Sequence, residues 1–212
     1  MKKILIATTN PAKIQTAKVI LEKIGYEGLT FADLKINPKE PDETLSTAEE
    51  IANEKALGYA QQFRDFPVLA RDDTNLLIGV AEEDDPKNHN KAFVEKRAGK
   101  YSDENGTRVF AQIAHKYGGE IPLEFRWGYA LAWWENGEIK SVSGLAINNN
   151  MKLVDKPSPK IVPGFSFSPV TKVLLKSNWK YDSELTEEES WEAYWTSQME
   201  TILSLIKKCP LL

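Results

Sequence analysis

The sequence predicts an α/β fold in which a mixed, twisted sheet is flanked by helices. Two observations support this: short apolar runs alternate with helical patterns in the first half of the chain, and a long alternating segment with a tight turn follows. The first pattern favours parallel strands and the second an antiparallel hairpin, so one sheet would contain both. The 212 residues, 42% of them hydrophobic, are enough for a single domain over residues 1–212, either one large domain or one domain with two lobes.

The first predicted element is a strand that runs directly into a helix. The apolar run from Lys3 to Ala7 is typical of a short buried strand. Asn10 is a favoured N-cap and Pro11 a favoured first helical residue, so a helix should begin here. Apolar residues then recur at helical spacing until Gly25, which ends the pattern.

A second helix and a second strand follow. The segment Thr44–Phe63 is predicted to be helical, with Thr47 as N-cap and Glu50 at the third position, which is a capping box. Phe66–Ala70 is predicted to be a short strand. Arg71-Asp72-Asp73-Thr74 is expected at the carboxyl end of that strand.

The second half of the chain contains the clearest hairpin signal. Aromatic and other apolar residues alternate over Phe125–Ile147, and Asn136-Gly137 supplies a turn that hairpins favour. The other predicted elements are a helix over Asn105–Tyr117, with Val109, Phe110, Ile113 and Ala114 inward, a last strand over Val170–Leu175, and a helix from about Thr186 to Lys207 with Glu189 in a capping box. Predicted loops cover Ile36–Glu43, Ala81–Asn90, Asn148–Pro163 and Gly164–Pro169.

Composition argues against several classes of protein. The formal net charge of −4 and the lack of a long basic run argue against binding of a nucleic-acid polymer. The single cysteine, Cys209, cannot form an intramolecular disulfide, and with only His89 and His115 beside it a Cys/His metal cluster is not expected. No segment is long and apolar enough to predict a membrane span or a signal peptide, so we expect a cytoplasmic protein.

The turn between the first strand and helix has the composition of a phosphate site. Thr8, Thr9 and Asn10 lie at a helix N-terminus, where backbone N–H groups favour an anion, and Lys13 would add a positive charge. The same residues also fit an ordinary helix cap. The turn lacks the glycine-rich patterns of the P-loop and of the dinucleotide fingerprint.

Carboxylates are the second feature of the sequence with possible chemistry. Asp72 and Asp73 follow a buried strand, at the place where open α/β sheets usually bind ligands. Together with Glu50 they offer oxygen ligands of the kind that hold Mg²⁺, and one aspartate could orient or deprotonate a water. The alternative is that the glutamates form a solvated helix face and the aspartates cap a turn.

The third feature is the loop Gly164–Pro169, which carries two phenylalanines. Phe165 and Phe167 could stack on a planar base or fill the edge of the core, and the local residues leave both open.

These elements, in this order, resemble the inosine triphosphate pyrophosphatase family, the house-cleaning nucleoside triphosphate pyrophosphatases. The N-terminal motif [ST]-x-N-x-x-K of that family is similar to Thr8–Lys13. Its helix motif T-x-x-E-N-A with a following Lys-Ala pair is similar to Thr47–Ala52 and Lys55-Ala56. Its motifs [DE]-D-[ST]-G-L and G-F-G-[YW]-D-P are similar to Asp72–Leu76 and Gly164–Pro169, and an Ala-Gly turn with a following Asn is loosely similar to Ala98-Gly99 and Asn105.

The resemblance implies a fold of the ITPase and Maf type, with two lobes around a central nucleotide groove, and usually a homodimer. It implies Mg²⁺-dependent hydrolysis of a nucleoside triphosphate to the monophosphate and pyrophosphate. Asp73 would be the catalytic acid or base and, with Glu50, a metal ligand. The residues implied to bind substrate, with Lys13 also assisting catalysis, are Thr8, Thr9, Asn10, Lys13, Thr74, Phe165, Ser166, Phe167, Ser168, Ser197 and Gln198.

The sequence departs from that family where the family reads the base. Ser168 stands in place of the loop aspartate, and Ser197 and Gln198 stand in place of the His and Arg of a Ser-His-Arg motif. A site built to hydrogen-bond one base edge rejects analogues strongly, so these changes predict altered base recognition. Arg71, directly before the acid pair, could contact phosphate or base, or could be an ordinary surface residue.

The sequence therefore predicts a nucleoside triphosphate pyrophosphatase with an altered base pocket, which hydrolyses a non-canonical or modified nucleotide. Two alternatives remain open. One is a catalytically inactive nucleotide-binding or sensing protein on the same fold. The other is a scaffold that uses Trp191 and Trp195 to contact a partner.

Overall fold

The computed structural model describes residues 1–42, 44–86 and 90–212 and contains a seven-stranded sheet in the order β2-β1-β3-β4-β5-β6-β7. The strands are β1 (Lys3–Ile6), β2 (Glu27–Leu29), β3 (Val68–Leu77), β4 (Glu120–Glu135), β5 (Glu138–Val154), β6 (Thr171–Leu175) and β7 (Asn178–Tyr181). Strand β1 pairs in parallel with β2 and β3, whereas β6 pairs antiparallel with β5 and β7. The predicted mixed α/β sheet with flanking helices is confirmed.

Six α-helices accompany the sheet in the part of the chain that the structure describes. They are α1 (Pro11–Lys23), α2 (Ala48–Gln62), α3 (Asn90–Ala98), α4 (Asp103–Lys116), α5 (Glu187–Ser190) and α6 (Thr196–Ile206). A π-helical turn, Trp191–Trp195, lies between α5 and α6. Within the described residues, none of the helices has both the length and the apolar character needed to cross a membrane.

The chain divides into two compact units. Unit 1 comprises Met1–Asp73, Arg126–Ala146 and Ser197–Leu212, and unit 2 comprises Thr74–Phe125 and Ile147–Thr196. The core of unit 1 packs small and aromatic residues together: Leu5, Ala7, Phe31, Ala52, Ala56, Tyr59, Ala60, Val68, Ala70, Ala130 and Ala132. In unit 2, Val109, Phe110, Ile113 and Ala114 are buried on α4, as the sequence predicts.

Local signals predicted several element ends correctly. Asn10 caps α1 and Thr47 forms the predicted capping box with Glu50. The hairpin turn lies at Asn136 and Gly137, whose φ angles of 52° and 84° are those of the turn type that the Asn-Gly pair favours.

The sequence prediction is wrong at several other ends. Helix α2 begins at Ala48, not Thr44, because the backbone N–H of Thr44 instead donates to Glu54 Oε2 at 3.0 Å. Strand β5 continues to Val154, so only the remainder of the predicted connection 148–163 is loop. Strand β7 follows the strand that was predicted to be the last.

The predicted loop Ala81–Asn90 contains more structure than its polar composition indicates. A 3-10 turn covers Glu82–Asp84, and α3 begins at Asn90. Only Val94 is buried on α3, so the sequence lacks the apolar periodicity from which a helix could be predicted here. Lys87, Asn88 and His89 of this segment, and Glu43 of the earlier predicted loop, lie outside the described residues.

Candidate active site

The predicted phosphate turn is a well-formed helix cap in unit 1. Asn10 Oδ1 accepts hydrogen bonds from the backbone N–H groups of Ala12 at 3.0 Å and Lys13 at 3.3 Å. The Thr8 hydroxyl oxygen accepts from the Asn10 backbone N–H at 3.2 Å, and Thr9 is exposed. The turn therefore has the cap geometry that the sequence left open as an alternative, and it aims Lys13 toward β3.

Lys13 joins this turn to the two aspartates of β3. Its Nζ lies 3.3 Å from Asp73 Oδ2 and 3.6 Å from Asp72 Oδ1. Asp72 Oδ1 also accepts from Lys55 Nζ at 2.8 Å, and Lys55 comes from α2. Three elements of unit 1 thus meet at the acid pair, although the sequence analysis assigned no role to Lys55.

The acid pair lies inside β3, so the prediction that the strand ends at Ala70 is wrong. The strand continues to Leu77 because the buried charges have cationic partners and need no solvent. Its parallel pairing with β1 nevertheless stops early, and the Ala7 backbone N–H donates to the Leu69 carbonyl at 2.8 Å. The acids therefore follow the carboxyl end of the parallel segment, as the sequence analysis expected.

Arg71 is buried beside Asp73, which excludes the surface alternative for this residue. Its side chain is 8% exposed, and its Nε lies 2.6 Å from Asp73 Oδ1. The two Asp73 oxygens thus contact different cations, Arg71 at Oδ1 and Lys13 at Oδ2. Arg71, Lys13, Lys55, Asp72 and Asp73 are called the Asp73 cluster below.

The cations of this cluster decide the charge state of Asp73. Burial alone would raise the pKa of the Asp73 carboxyl group, but the positive charges of Arg71 and Lys13 outweigh burial and hold that pKa below its ordinary value. Asp73 is therefore ionised at neutral pH. In this arrangement it is a weak proton acceptor and a strong ligand for positive charge.

Tyr129 on β4 and Gln198 on α6 extend the cluster. The Arg71 Cζ atom lies 6.0 Å from the centre of the Tyr129 ring, and the Tyr129 hydroxyl donates to Gln198 Oε1 at 2.5 Å. Burial, reinforced by the charge of Asp73 and opposed by Arg71, raises the pKa of Tyr129 to about 12, so the phenol stays protonated. Nothing in the sequence singles out Tyr129 as a site residue, since it is one of several aromatic residues that alternate along the predicted hairpin.

Glu50, the other predicted metal ligand, lies at the exposed first turn of α2. Its Oε2 accepts from the Thr47 hydroxyl at 2.7 Å and from the Thr47 backbone N–H at 3.3 Å. Gly128 on β4 brings this helix end against the sheet, because a Cβ atom there would lie 2.1 Å from the Ala48 carbonyl oxygen. Gly128 is a second positioning residue that the sequence analysis did not identify.

The predicted base loop lies in unit 2 and is well packed. The Phe167 ring is buried and its centroid lies 3.9 Å from that of Phe110, which is the core-edge packing that the sequence left open. Ser166 is also buried; its carbonyl accepts from the Thr107 hydroxyl at 2.9 Å and its hydroxyl lies 3.3 Å from that of Tyr101. Phe165 is half-buried.

Ser168 is tied to a carboxylate in the same unit. Its hydroxyl donates to one oxygen of Asp182, and the Tyr194 hydroxyl donates to the other oxygen at 2.9 Å. Tyr194 belongs to the π-helical turn, and Asp182 directly follows β7. A carboxylate therefore lies next to the position at which the resembled family has its loop aspartate.

The remaining predicted residues fall in both units. Thr74 is buried on β3, at the start of unit 2, and Ser197 is half-buried at the start of α6 in unit 1. Next to Thr74, Asn75 is 2% exposed, and no partner for its Oδ1 is found within the described residues. The structure thus gathers Asn10, Lys13, Asp72 and Asp73 within unit 1, while Thr74 and the predicted base loop belong to unit 2.

Known proteins resemble this chain in sequence. Residues 4–145 match the Ham1 family. The chain is 27% identical over 191 residues to a dITP/XTP pyrophosphatase of Bacillus subtilis, across 89% of this chain and 88% of that protein.

Two solved structures share the fold. The Ham1 protein of Staphylococcus aureus aligns with a TM-score of 0.65 at 20% identity and covers 98% of both chains. A HAM1 protein from Coxiella burnetii aligns with a TM-score of 0.66 at 19% identity, over 99% of this chain and 100% of that one. Since the family match spans more than half of the residues and the fold agrees with it, the chain belongs to the Ham1 family, as its motifs indicate.

Proposed function

We propose that this chain hydrolyses a nucleoside triphosphate to the nucleoside monophosphate and pyrophosphate, with residues 1–212 acting as one domain. The observation that carries the proposal is the meeting of Lys13 with Asp72 and Asp73, at 3.6 and 3.3 Å. It brings the N-terminal motif and the strand motif of the resemblance to one place. The Bacillus subtilis relative, a dITP/XTP pyrophosphatase, supports the same class of reaction.

The phosphates would bind at the N-terminal turn. Lys13 supplies a positive charge that is only 15% exposed, and the N-terminal end of α1 adds its partial positive charge. Thr8, Thr9 and Asn10 supply hydroxyl and amide groups next to it. These groups would hold the triphosphate so that a water can attack a phosphorus in line with the departing pyrophosphate.

The donor set suits Mg²⁺ in its chemistry. Within residues 1–42, 44–86 and 90–212 the structure contains no group of three or more His, Cys, Asp or Glu side chains that could hold a metal ion. Mg²⁺ is commonly held by one or two carboxylates together with substrate phosphates, so Glu50 and Asp73 would be sufficient protein ligands. When bound, the metal would neutralise phosphate charge in the transition state.

Asp73 would orient the attacking water as an ionised acceptor. Its lowered pKa makes it a weak general base while Arg71 and Lys13 contact it. Movement of either cation away from Asp73 when substrate binds would make the carboxylate a stronger proton acceptor.

Base recognition is proposed to differ from that of inosine triphosphate pyrophosphatases. Gln198 uses its carbonyl oxygen for the Tyr129 hydroxyl and is 1% exposed, so it cannot take over the charge of the family arginine. Ser168 donates its hydroxyl to Asp182 and can only accept from another group. We expect that inosine and xanthosine nucleotides are not strongly preferred over other bases.

A nucleotide panel tests the proposal directly. Purified protein with Mg²⁺ is incubated with ATP, GTP, CTP, UTP, ITP, XTP and their deoxy forms, and released pyrophosphate is measured separately from orthophosphate. We expect pyrophosphate from at least one nucleotide. Asp73→Asn should lower kcat/KM by roughly 100-fold or more, which is typical for loss of a group acting on the attacking water.

The matched control is Asp65→Asn, because Asp65 is exposed on unit 1 outside the Asp73 cluster. Circular dichroism of Asp73→Asn checks that the variant folds, and Lys13→Gln serves as a second test of the same cluster. Full activity in Asp73→Asn would overturn the assignment. Mg²⁺-dependent nucleotide binding without hydrolysis would favour the inactive, sensing alternative, and a clear preference for ITP would overturn the altered base pocket.

We also propose that the protein is a homodimer, as the resemblance implies. Sedimentation equilibrium should then give twice the 23.9 kDa mass of one chain. A single species of monomer mass at micromolar concentration would contradict this proposal.

A further inference from the structure

The Asp73 cluster is unusual in its charge balance. Three cations, Lys13, Lys55 and Arg71, contact two carboxylates, and all five side chains are at most 15% exposed. The ion pairs that the structure shows among these five residues therefore leave one excess positive charge. Lys13 and Arg71 converge on the single carboxylate of Asp73, so an anion that reaches this point can interact with two cations.

The same contacts oppose a metal ion at Asp73. The Arg71 Nε atom lies 2.6 Å from Oδ1, and the Lys13 Nζ atom lies 3.3 Å from Oδ2. A divalent cation that uses Oδ1 must displace the guanidinium group, which is the closer of the two cations. Without substrate or metal bound, Arg71 therefore occupies the Asp73 Oδ1 atom that a metal ion would need as a ligand.

Arg71 is held in place by more than Asp73. Its Cζ atom lies 6.0 Å from the centre of the Tyr129 ring, and the Tyr129 hydroxyl in turn donates to Gln198, so two further side chains surround it. A planar guanidinium group is well suited to hydrogen-bond phosphate oxygens, which are stronger partners than most neutral acceptors.

We infer that Arg71 is a phosphate-binding residue that exchanges partners: it neutralises Asp73 in the free protein and moves to the polyphosphate of the substrate when a metal ion takes its place at Asp73. This inference rests on the proposed function. It makes metal and polyphosphate binding mutually dependent, since each removes the obstacle to the other.

The exchange predicts opposite effects of one substitution on two ligands. Arg71→Gln removes the cation that competes with a metal at Asp73, so Mn²⁺ alone should bind about tenfold more tightly than to the wild type, as expected from loss of one close charge. The same change removes a charged donor to phosphate, so inorganic tripolyphosphate in the presence of saturating Mg²⁺ should bind about tenfold or more weakly. A purely structural role for Arg71 would weaken both.

The experiment measures Mn²⁺ binding by electron paramagnetic resonance and tripolyphosphate binding by calorimetry, with the full chain. Arg71→Lys keeps the positive charge, so its affinity for tripolyphosphate should lie between those of the wild type and Arg71→Gln. This variant keeps the test decisive if Arg71→Gln folds poorly. Arg64→Gln is the matched control, because Arg64 is exposed on unit 1 and lies over Trp134. The gain in Mn²⁺ affinity should vanish in Arg71→Gln/Asp73→Asn.

Opposite shifts in the two affinities support the exchange. Equal losses, or no change in either affinity, overturn it even if the wild type hydrolyses nucleotides. If the wild type neither binds tripolyphosphate in the presence of Mg²⁺ nor releases pyrophosphate from any nucleotide, the proposed function falls together with the exchange.

Discussion

The Tyr129 hydroxyl donates a 2.5 Å hydrogen bond to Gln198 Oε1, and both side chains are 1% exposed. The bond joins β4 to α6, and the centre of the Tyr129 ring lies 6.0 Å from the Arg71 Cζ atom. It gives Gln198, which stands where the resembled family has an arginine, a defined structural partner.

Gln198→Leu should destabilise the protein by about 1–3 kcal/mol, because it leaves the buried Tyr129 hydroxyl without its acceptor. Gln198→Leu/Tyr129→Phe should lose less stability than the sum of the two single substitutions, because each of them alone already breaks the same hydrogen bond. The double variant should recover about 0.5–3 kcal/mol of coupling energy. Urea unfolding of all four proteins measures it, and simple additivity would show that the hydrogen bond contributes nothing.

Gly128→Ala should displace the first turn of α2. A Cβ atom there would lie 2.1 Å from the carbonyl oxygen and 2.2 Å from the carbonyl carbon of Ala48, and backbone atoms cannot rotate away. Overpacking of this kind costs about 1–3 kcal/mol. Urea unfolding measures the loss, and the kcat/KM for the best nucleotide should fall as well if Glu50 is a metal ligand.

Gly144→Ala is the matched control for Gly128→Ala, on β5 of the same unit. Its Cβ atom would meet the Thr201 Cγ2 methyl group at 3.2 Å, and a side chain can give way by a few tenths of an ångström. Similar destabilisation by both substitutions would contradict the special role of Gly128.

Gly106→Ala should disturb the base loop in unit 2. A Cβ atom on Gly106 would lie 2.5 Å from Ser166 Cβ and 2.6 Å from Ser166 Oγ. We expect a higher KM for the nucleotide while binding of tripolyphosphate in the presence of Mg²⁺ stays unchanged, because the phosphate groups are proposed to lie in unit 1. Ser166→Gly in the same chain makes room for the new methyl group and should restore the KM; failure of that rescue would rule out the contact as the cause.

The sequence predicted those features that are encoded locally. The Asn136-Gly137 turn and the Thr47–Glu50 capping box were read correctly because each depends on neighbouring residues. Strand β3 was predicted too short because charged residues rarely continue a buried strand. Lys13 and Lys55 reach Asp72 only in the folded chain, and their charges allow strand β3 to continue past the aspartates.

The same reasoning explains which parts of the site were missed. Asp73 and Lys13 could be singled out from short motifs, and the structure places them together. The burial of Arg71 could not be predicted, since it depends on Asp73 beside it and on Tyr129 and Gln198 from distant parts of the chain. The hydrogen bond from Ser168 to Asp182 likewise joins residues whose relation no local pattern indicates.

Acid should weaken unit 2 through Asp84. Hydrogen bonds from Lys116 and Tyr117 to this carboxylate outweigh partial burial and hold its pKa below the ordinary value of 3.8. A carboxyl group whose pKa is lower in the folded protein adds stability that is fully present above its unfolded pKa and is lost as the pH falls through the folded pKa.

The free energy of unfolding, measured with urea from pH 7 to pH 3, should therefore fall below about pH 4. Asp84→Asn should be less stable at pH 7 and show a flatter profile at the acid end. Asp42→Asn is a suitable control because Asp42 is exposed in unit 1. An unchanged acid slope in Asp84→Asn would assign the loss of stability to other carboxylates.

Asp182→Asn should change base selectivity without changing phosphate binding. The Asp182 side chain accepts a hydrogen bond from the Ser168 hydroxyl, so the Ser168 oxygen can only accept a hydrogen bond from any other group. An amide at position 182 can donate through its nitrogen to Ser168 Oγ, which frees the hydroxyl to act as a donor. The ratio of kcat/KM values between bases with a donor edge and bases with an acceptor edge should shift by about tenfold, the effect of one hydrogen bond.

Two controls separate this effect from a general loss of structure. Tripolyphosphate affinity should stay unchanged in Asp182→Asn, and Glu188→Gln, at an exposed position of α5, should leave all ratios unchanged. Ser168→Ala removes the group that Asp182 polarises, so adding Asp182→Asn to it should have no further effect on the ratio. If Asp182→Asn shifts the ratio equally with and without Ser168, the carboxylate acts by another route, and Ser168 does not read the base.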